Sequence, residues 1–448
     1  MPVLEYIKIE LNCQGFSVKQ IAFSPEKDKS IAMLESVRKT TDMKCPTCGG
    51  EVHIYDKFDI TLKDMPIYPD VPLSLFCMGH RYRCVKCNKS FTEDIPFAYP
   101  GTRITNRAAT WIKGFLKNKM SIRAIQNITG IHWDTIRKVQ QDVMDEALKD
   151  RENELKAIDY KPRFLAVDEF AIHKGHRYAT CVMDLEKGDV LWVGNGRSIS
   201  DFECFFKEFD SSTLSAVMAV AMDMNASYNK LVEKHLPKAK IIYDRYHLQA
   251  QFGKDVLGVV RLEEARKHKQ TAEEILAEIK DDISKDEKQS LKSKANEEKR
   301  FYCKLKKSRW FLLMNHNKLL EHGAEHLDTI LLTHQNLAVC YAMKEEMCRL
   351  FSLSDVSVAE KGWTAWFDAA EESNIPALVK FARLKRQRLP GLVAHANYPI
   401  STGKLEGFNN KIKVAKRIGY GYRNDDYFFK LIRYLSLPSV KFSSPNFP

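Results

Sequence analysis

The chain has 448 residues, which is long enough for about three domains. Of these residues 44% are hydrophobic and 29% charged, a composition typical of soluble globular domains. Lys and Arg number 70 against 58 Asp and Glu, so the net charge is +12, which favours a polyanionic partner such as nucleic acid. The N-terminus carries Glu5 and Glu10 where a secretory signal would be apolar, and no apolar run reaches the ~18 residues of a membrane span. We therefore predict a cytoplasmic protein without a membrane partner, with its 11 cysteines in a reducing environment.

Four of these cysteines form two Cys-x-x-Cys pairs: Cys45 and Cys48, Cys84 and Cys87. In a reducing compartment such pairs predict a tetrahedral, structural Zn²⁺ site, and four buried thiols without metal are the alternative. The segment between the pairs is longer than usual and reads as two or three strands. It contains Cys77 and His80 as possible substitute ligands, but the two symmetric pairs already fill four positions. We assign residues 1–100 to an N-terminal zinc-ribbon domain.

Residues 103–138 carry eight basic side chains against one acid, Asp134. Within them Ser121 can cap a short helix, Gly130 can form a turn, and "IHWDTIRKV" begins a second helix. This pattern predicts a DNA-binding helix-turn-helix, and a helical hairpin in a core is the alternative. The predicted DNA contacts are Arg123, His132, Trp133, Thr135, Arg137 and Lys138. Residues 101–158 are assigned to this domain and a charged linker helix over 142–158.

From residue 159 the pattern changes to strands and helices in the order β-β-β-α-β-α-β, which predicts an α/β domain with a mixed sheet. The charged segment from about 262 to 395 predicts a large all-helical insertion. Its basic stretch 383–388 could contact phosphates, although most charge there is expected on solvated surfaces.

Two acids stand where predicted strands end: Asp168 after the first strand and Asp223 after the fourth. If these strands are neighbours, the carboxylates emerge side by side and repel each other, so a cation between them is expected. Hard oxygen ligands suit Mg²⁺ or Mn²⁺, and such ions support phosphoryl transfer. A turn or a helix cap would explain either acid alone. Glu169 is expected on the opposite, exposed face.

Glu406 is the preferred third acid, because it lies in a basic, amide-rich helix over 404–418. The DNA contacts predicted on this helix are Asn410, Lys411 and Lys413. Asp244 is the rival, since it ends the strand "AKIIYD", although it can instead cap the next helix. Three histidines could line the site: His173, His176 and His247.

The motifs CPTC…CVKC, SIRAIQNITGIHWDTIRKV, FLAVDEF, AVAMDMNASY, IIYDRYHL and GKLEGFNNKIK occur in this order between about residues 40 and 435. This ordered set resembles the ISL-three family of bacterial insertion-sequence transposases. The resemblance implies an RNase H-like core over 159–448, with the mixed sheet followed by one more helix after the insertion. It also implies a DDE triad of Asp168, Asp223 and Glu406 that binds the catalytic Mg²⁺ or Mn²⁺.

The function implied by the resemblance is binding of double-stranded DNA at terminal inverted repeats, followed by metal-dependent cleavage and strand transfer into target DNA. Direct phosphoryl transfer needs no covalent protein–DNA link. Pairing of two ends implies a homodimer or a higher oligomer, and the DNA substrate implies association with the nucleoid. A metal-dependent nuclease and a non-catalytic DNA-binding regulator are the alternatives. The regulator leaves the strand-end acids unexplained, and the nuclease does not need end-binding domains.

Overall fold

The computed structural model of the chain describes residues 15–26, 28–68, 71–118, 120–173, 177–280, 284–419 and 421–438. These residues form two compact units. The ribbon unit contains the described residues up to Glu154 together with Ala415–Tyr434, and the sheet unit contains Leu155–Val414 and the described residues from Leu435 onward. The division into three domains with boundaries at 100 and 158 stays a prediction.

The ribbon unit begins with a five-stranded sheet in which β1, β2, β4 and β3 lie in that order and β5 pairs with β4. The strands are β1 Phe16–Phe23, β2 Ser30–Ser36, β3 Val52–Tyr68, β4 Val71–Cys84 and β5 Ser90–Thr92. Strands β3 and β4 form a long antiparallel hairpin, with Val52 opposite Cys84 at its base. The long segment between the two cysteine pairs forms this hairpin, which brings the second pair back beside the first.

Three helices follow: α1 Asn106–Lys117, α2 Ile122–Thr129 and α3 Trp133–Ala157. As predicted, Ser121 caps α2 by accepting a hydrogen bond from the Ala124 amide, and Gly130 makes the turn with φ of 63°. Ile125 and Ile136 are buried in the core that joins the three helices. The charged helix expected over 142–158 is the second half of α3, which is a single helix of 25 residues.

The sheet unit has the predicted order β-β-β-α-β-α-β. Its elements are β6 Phe164–His173, β7 Arg177–Asp184, β8 Val190–Asn195, α4 Ile199–Glu208, β9 Ala219–Met222, α5 Ala226–His235 and β10 Lys240–Tyr243. The strands lie in the order β10-β9-β6-β7-β8. Strands β6, β7 and β8 are antiparallel, whereas β9 runs parallel to both β6 and β10. Phe202 and Phe205 of α4 and Leu231 of α5 pack in one core with Leu165 and Val220 of the sheet.

Only helices and loops occur among the described residues between β10 and residue 396, in agreement with the predicted all-helical insertion. The helices are α6 Arg245–Phe252, α7 Gly258–Ala277, α8 Lys285–Lys307, α9 Arg309–Leu313, α10 Glu321–Thr333, α11 Gln335–Leu350, α12 Val356–Glu372, α13 Pro376–Arg386 and α14 Leu389–Val393. A π-helical segment, Gly253–Leu257, joins α6 to α7. Phe252, Trp363, Trp366, Phe367 and Phe381 are buried in the core of this region, which makes the insertion a folded body rather than a long loop.

The last helices are α15 Gly403–Ile418 and α16 Asp425–Ser436. Helix α15 matches the predicted helix over 404–418 and buries Leu405, Phe408 and Ile412. Residues 425–434 of α16 belong to the ribbon unit, where the Tyr427 hydroxyl donates to Gln140 of α3 and Lys430 pairs with Asp145 at 2.7 Å. In the part of the chain that the structure describes, none of the helices combines the length and apolar character needed to cross a lipid bilayer.

Candidate metal centre and DNA-binding surfaces

In the sheet unit, β6, β9 and β10 are neighbouring parallel strands, and their last paired residues lie side by side. Val167 of β6 lies opposite Met222 of β9, and Met222 lies opposite Tyr243 of β10. Each of these residues is followed directly by an acid: Asp168, Asp223 and Asp244. Since the three strands are parallel to one another, the acids emerge at the same end of the sheet.

The sequence had suggested that Asp168 ends its strand, but the structure shows otherwise. Strand β6 continues beyond it, and Asp168 lies opposite Cys181 of β7. What ends at this level is the parallel pairing with β9, because Val167 is the last paired residue. The carboxylate accepts a hydrogen bond from the Glu169 amide at 2.8 Å and another from the Asn409 side chain of α15 at 2.8 Å.

Burial raises the pKa of Asp168 to about 6. The Glu169 N–H and the nearby charge of His247 lower this pKa, whereas Glu406 and Glu169 raise it. Asp168 therefore lies in the field of Glu406, although the two acids are far apart in the sequence. An ionised Asp168 in this environment requires a nearby positive charge.

Asp223 does not cap α5, so a purely structural capping role does not account for this acid. Asn225 caps α5 by accepting from the Ser227 amide, and Asp223 itself accepts from the Met224 amide at 2.6 Å. Its second oxygen lies 3.7 Å from Nδ1 of His247. Glu169 is half-buried rather than exposed, and it accepts from the Asn225 side chain at 3.3 Å.

His247 of α6 lies between two of the predicted ligands. Its Nδ1 faces Asp223, and its Nε2 lies 3.5 Å from Oε1 of Glu406, which also accepts from the Thr402 hydroxyl at 3.2 Å. Of the three candidate histidines, the structure therefore places His247 at the candidate metal centre. His176 and the side chain of His173 lie outside the described residues.

Asp244 belongs to a group of possible metal ligands, since its carboxylate, His247 and Glu406 offer atoms within 4.8 Å of one another. Its oxygens are nevertheless engaged with the backbone. One accepts from the amides of Tyr246 and His247 at 2.8 and 3.2 Å, and the other accepts from the Thr402 amide at 3.0 Å. Asp244 is buried, caps α6 and fastens the start of α15, so a structural role explains it fully.

The donor set suits a hard divalent cation. Asp223 and Glu406 both lie against His247, whose charge also acts on Asp168, and carboxylate oxygens are the ligands that Mg²⁺ and Mn²⁺ prefer. Asn409, which binds Asp168, keeps its carbonyl oxygen buried without a hydrogen-bond partner among the described residues. Asn409 was not predicted from the sequence, where Asn410 beside it had been selected.

The four predicted zinc ligands lie together at the base of the β3–β4 hairpin. The Cys45 and Cys87 sulfurs are 3.6 Å apart, those of Cys48 and Cys84 are 3.5 Å apart, and all four lie within 4.8 Å of one another. Burial raises the pKa of Cys45, but hydrogen bonds from the amides of Thr47 and Cys48 and from the thiols of Cys87 and Cys48 together lower it to about 6. A thiolate is thereby favoured at a place where three more sulfurs meet, which suits a bound cation.

The two other candidate zinc ligands are engaged elsewhere. Cys77 is buried in the core of the ribbon-unit sheet. His80 lies with its Nδ1 3.3 Å from the buried Glu93. The geometry therefore favours the two symmetric cysteine pairs, and the identity of the metal stays a prediction.

The DNA contacts predicted on α2 and α3 differ in their freedom to reach a partner. Arg123, His132 and Trp133 are exposed, and Thr135 is half-buried. Lys138 is exposed but pairs with Asp142 at 2.5 Å. Arg137 stacks on two rings, with its guanidinium carbon 5.2 Å from the Trp133 centroid and 4.6 Å from that of Tyr427.

Helix α15 presents two faces with different roles. Glu406 and Asn409 face the acidic cluster, as their contacts with His247 and Asp168 show. The predicted DNA contacts Asn410, Lys411 and Lys413 are all exposed. One helix thus places an acid at the candidate metal centre and basic groups at the surface beside it.

An acidic cluster at the end of a mixed sheet, together with a four-cysteine group and basic helices, is the combination expected of an enzyme that acts on DNA. A family model described as transposase, of the ISL-three DDE type, matches residues 165–432. The chain is 30% identical over 422 residues to the transposase for insertion sequence element IS1001 of Bordetella parapertussis, covering 94% of this chain and 95% of that protein. It is also 27% identical over 266 residues to the transposase for insertion sequence element IS1557 of Mycobacterium tuberculosis, covering 58% of this chain and 57% of that protein. The chain belongs to the ISL-three family of DDE transposases.

Proposed function

We propose that this transposase cleaves and joins DNA at a metal centre formed by Asp168, Asp223 and Glu406. The observation that carries the proposal is the position of the first two acids, each one residue beyond the paired Val167 and Met222, beneath a helix that supplies Glu406. The strand order, three antiparallel strands followed by two parallel strands with intervening helices, supports the assignment of an RNase H-like core.

Each residue around the centre has a distinct part. When bound by the three carboxylates, Mg²⁺ or Mn²⁺ supplies the positive charge that the attacking and leaving oxygens of phosphoryl transfer require. Asn409 orients Asp168 through its side-chain amide, and His247 holds Asp223 and Glu406 at a common place. Asp244 fixes the start of α15, and with it the position of Glu406.

The ribbon unit is proposed to bind the terminal inverted repeats of the element. A structural Zn²⁺ on the four cysteines holds the hairpin base, and the exposed residues of α2 and α3 contact double-stranded DNA. Asn410, Lys411 and Lys413 contact the DNA backbone beside the metal centre. The net charge of +12 supports binding of a polyanion, and pairing of two ends requires at least a dimer working on nucleoid DNA.

The test is a strand-transfer assay on duplexes taken from the DNA that flanks the coding sequence. Glu406→Gln keeps the shape of the side chain but removes its charge, so we expect normal DNA binding with cleavage and joining reduced by at least about a hundredfold. Asp244→Asn should retain more activity, because its main partners are backbone amides.

Near-normal joining by Glu406→Gln together with an inactive Asp244→Asn would show that the third ligand is misassigned. Joining of a 3′-OH to target DNA is the product expected of a transposase. Cleavage without joining would instead favour the nuclease alternative.

A further inference from the structure

One lysine of the helical insertion contacts α6, the helix that carries His247. Lys385, near the end of α13, is half-buried and donates from Nζ to the Oε1 of Gln251 at 2.5 Å. Its neighbour Arg386 is engaged with acids of the insertion, since it pairs with Asp368 at 2.7 Å and Glu371 at 2.8 Å. Lys385 instead uses a neutral amide, so its direct partner leaves its positive charge uncancelled.

Helix α6 relates Lys385 to the metal centre. Gln251 follows His247 by four residues, so the two side chains lie on the same face of α6, about 6 Å apart along its axis. His247 faces Asp223 and Glu406, and Gln251 faces Lys385. Burial lowers the pKa of Lys385, while the charges of Asp223 and Asp255 raise it, which places the ammonium group within the field of the cluster.

An acidic cluster alone repels the DNA phosphate on which it must act. A cation one helical turn away can contact the non-bridging oxygens of that phosphate, since a lysine has a flexible stem and three donors. We propose that Lys385 binds the scissile phosphate group, so that the insertion completes the active site. This inference rests on the proposed metal centre and assigns a substrate contact to the insertion.

The proposal is tested by binding without catalysis. The cleavage position is first mapped with the wild-type protein, and a duplex is then made with a neutral methylphosphonate at that position. In EDTA, fluorescence anisotropy should show that the methylphosphonate costs the wild-type protein about tenfold more in affinity than it costs Lys385→Met, since any repulsion from the metal-free carboxylates is relieved equally in both. Lys385→Met, which keeps the stem but not the charge, should bind the unmodified duplex about tenfold more weakly and show no further loss with the methylphosphonate.

Lys380→Met is the matched control, because Lys380 is an exposed lysine on the same helix. It should behave like the wild type, as should Lys385→Arg, which retains the charge. If Lys385→Met shows the full methylphosphonate penalty, Lys385 does not contact that phosphate and the proposal is overturned. Should Lys385→Met fail to fold, as judged by circular dichroism, Lys385→Gln provides the same comparison.

The cleavage assay on Asp223→Asn tests the proposed metal centre independently of the role of Lys385. If that variant cleaves normally, the metal centre itself is misplaced. If it is inactive while Lys385→Met keeps the full penalty, only the role of Lys385 fails.

Discussion

At the scale of single residues, Asp168 determines the electrostatics of the centre. Its half-buried carboxylate lies in the field of Glu406, and the side chain of Asn409, the Glu169 amide and the charge of His247 offset this. The pKa of Asp168 is therefore higher in the folded protein than in the unfolded chain. The free energy of unfolding therefore falls as the pH rises from about 4 to about 6, where the unfolded chain is ionised and the folded Asp168 is still protonated, and a bound divalent cation reverses this loss.

We predict that Asp168→Asn raises the melting temperature of the metal-free protein at neutral pH. The amide removes a buried charge and keeps the shape, a gain of roughly 1–3 kcal/mol. Addition of Mg²⁺ should raise the melting temperature of the wild type but leave the variant almost unchanged. Differential scanning calorimetry in EDTA and in Mg²⁺ measures both effects. A variant less stable than the wild type in EDTA would mean that hydrogen bonds to the carboxylate outweigh its burial.

The sequence located Asp223 directly after a buried strand, because it follows an apolar run, but it did not show that β6 continues past Asp168. It did not identify Asn409, and it left His247 as one of three histidines. Their roles depend on where α15 and α6 meet the sheet, which is a long-range contact. The hydrogen bond between Asp244 and the Thr402 amide joins residues far apart in the chain, and local sequence patterns carry no such information.

At the scale of elements, α3 shows how a change of pattern can be mistaken for a boundary. Its first turns bury Ile136, Val139 and Val143, whereas the later turns are strongly charged. The change in composition suggested two helices. No Gly or Pro interrupts residues 133–157, so nothing ends the helix when its apolar face ends.

Helices α2 and α3 together provide a test of the DNA-binding surface. Arg123 and Lys138 are exposed and basic, so the double variant Arg123→Ala/Lys138→Ala should bind end DNA more weakly. If both contact phosphates, the slope of log K against log salt should fall by up to about two. Fluorescence anisotropy across a salt series measures affinity and slope together.

Lys149→Ala is the control for this double variant, because Lys149 is an exposed lysine near the other end of α3. Arg137 is left intact, since its stacking between Trp133 and Tyr427 means that its loss would also disturb packing. Equal slopes for the double variant and the wild type would place the DNA contact on another surface.

At the scale of the whole molecule, the insertion starts and ends at one place. Asp244 stands at its start and Thr402 follows its end, and the two are joined by a hydrogen bond of 3.0 Å. A folded body with adjacent ends can be inserted into a sheet domain without moving the strands around it. This explains how Glu406 can act with Asp223 although a whole helical core separates them in the sequence.

Zinc removal should affect the two units differently. The four cysteines lie in the ribbon unit, and the core of the sheet unit contains none of them, so Cys84→Ser should destabilise the first and leave the second folded. Structural zinc contributes directly to folding free energy, and its loss should abolish binding to end DNA. Elemental analysis should find one zinc per wild-type chain, and calorimetry should show that only one transition moves in the variant. Cys303→Ser, at an exposed cysteine of α8, is the control and should change neither measurement. A wild-type protein without zinc, or a Cys84→Ser variant that binds ends normally, would show that the four thiols serve the fold without metal.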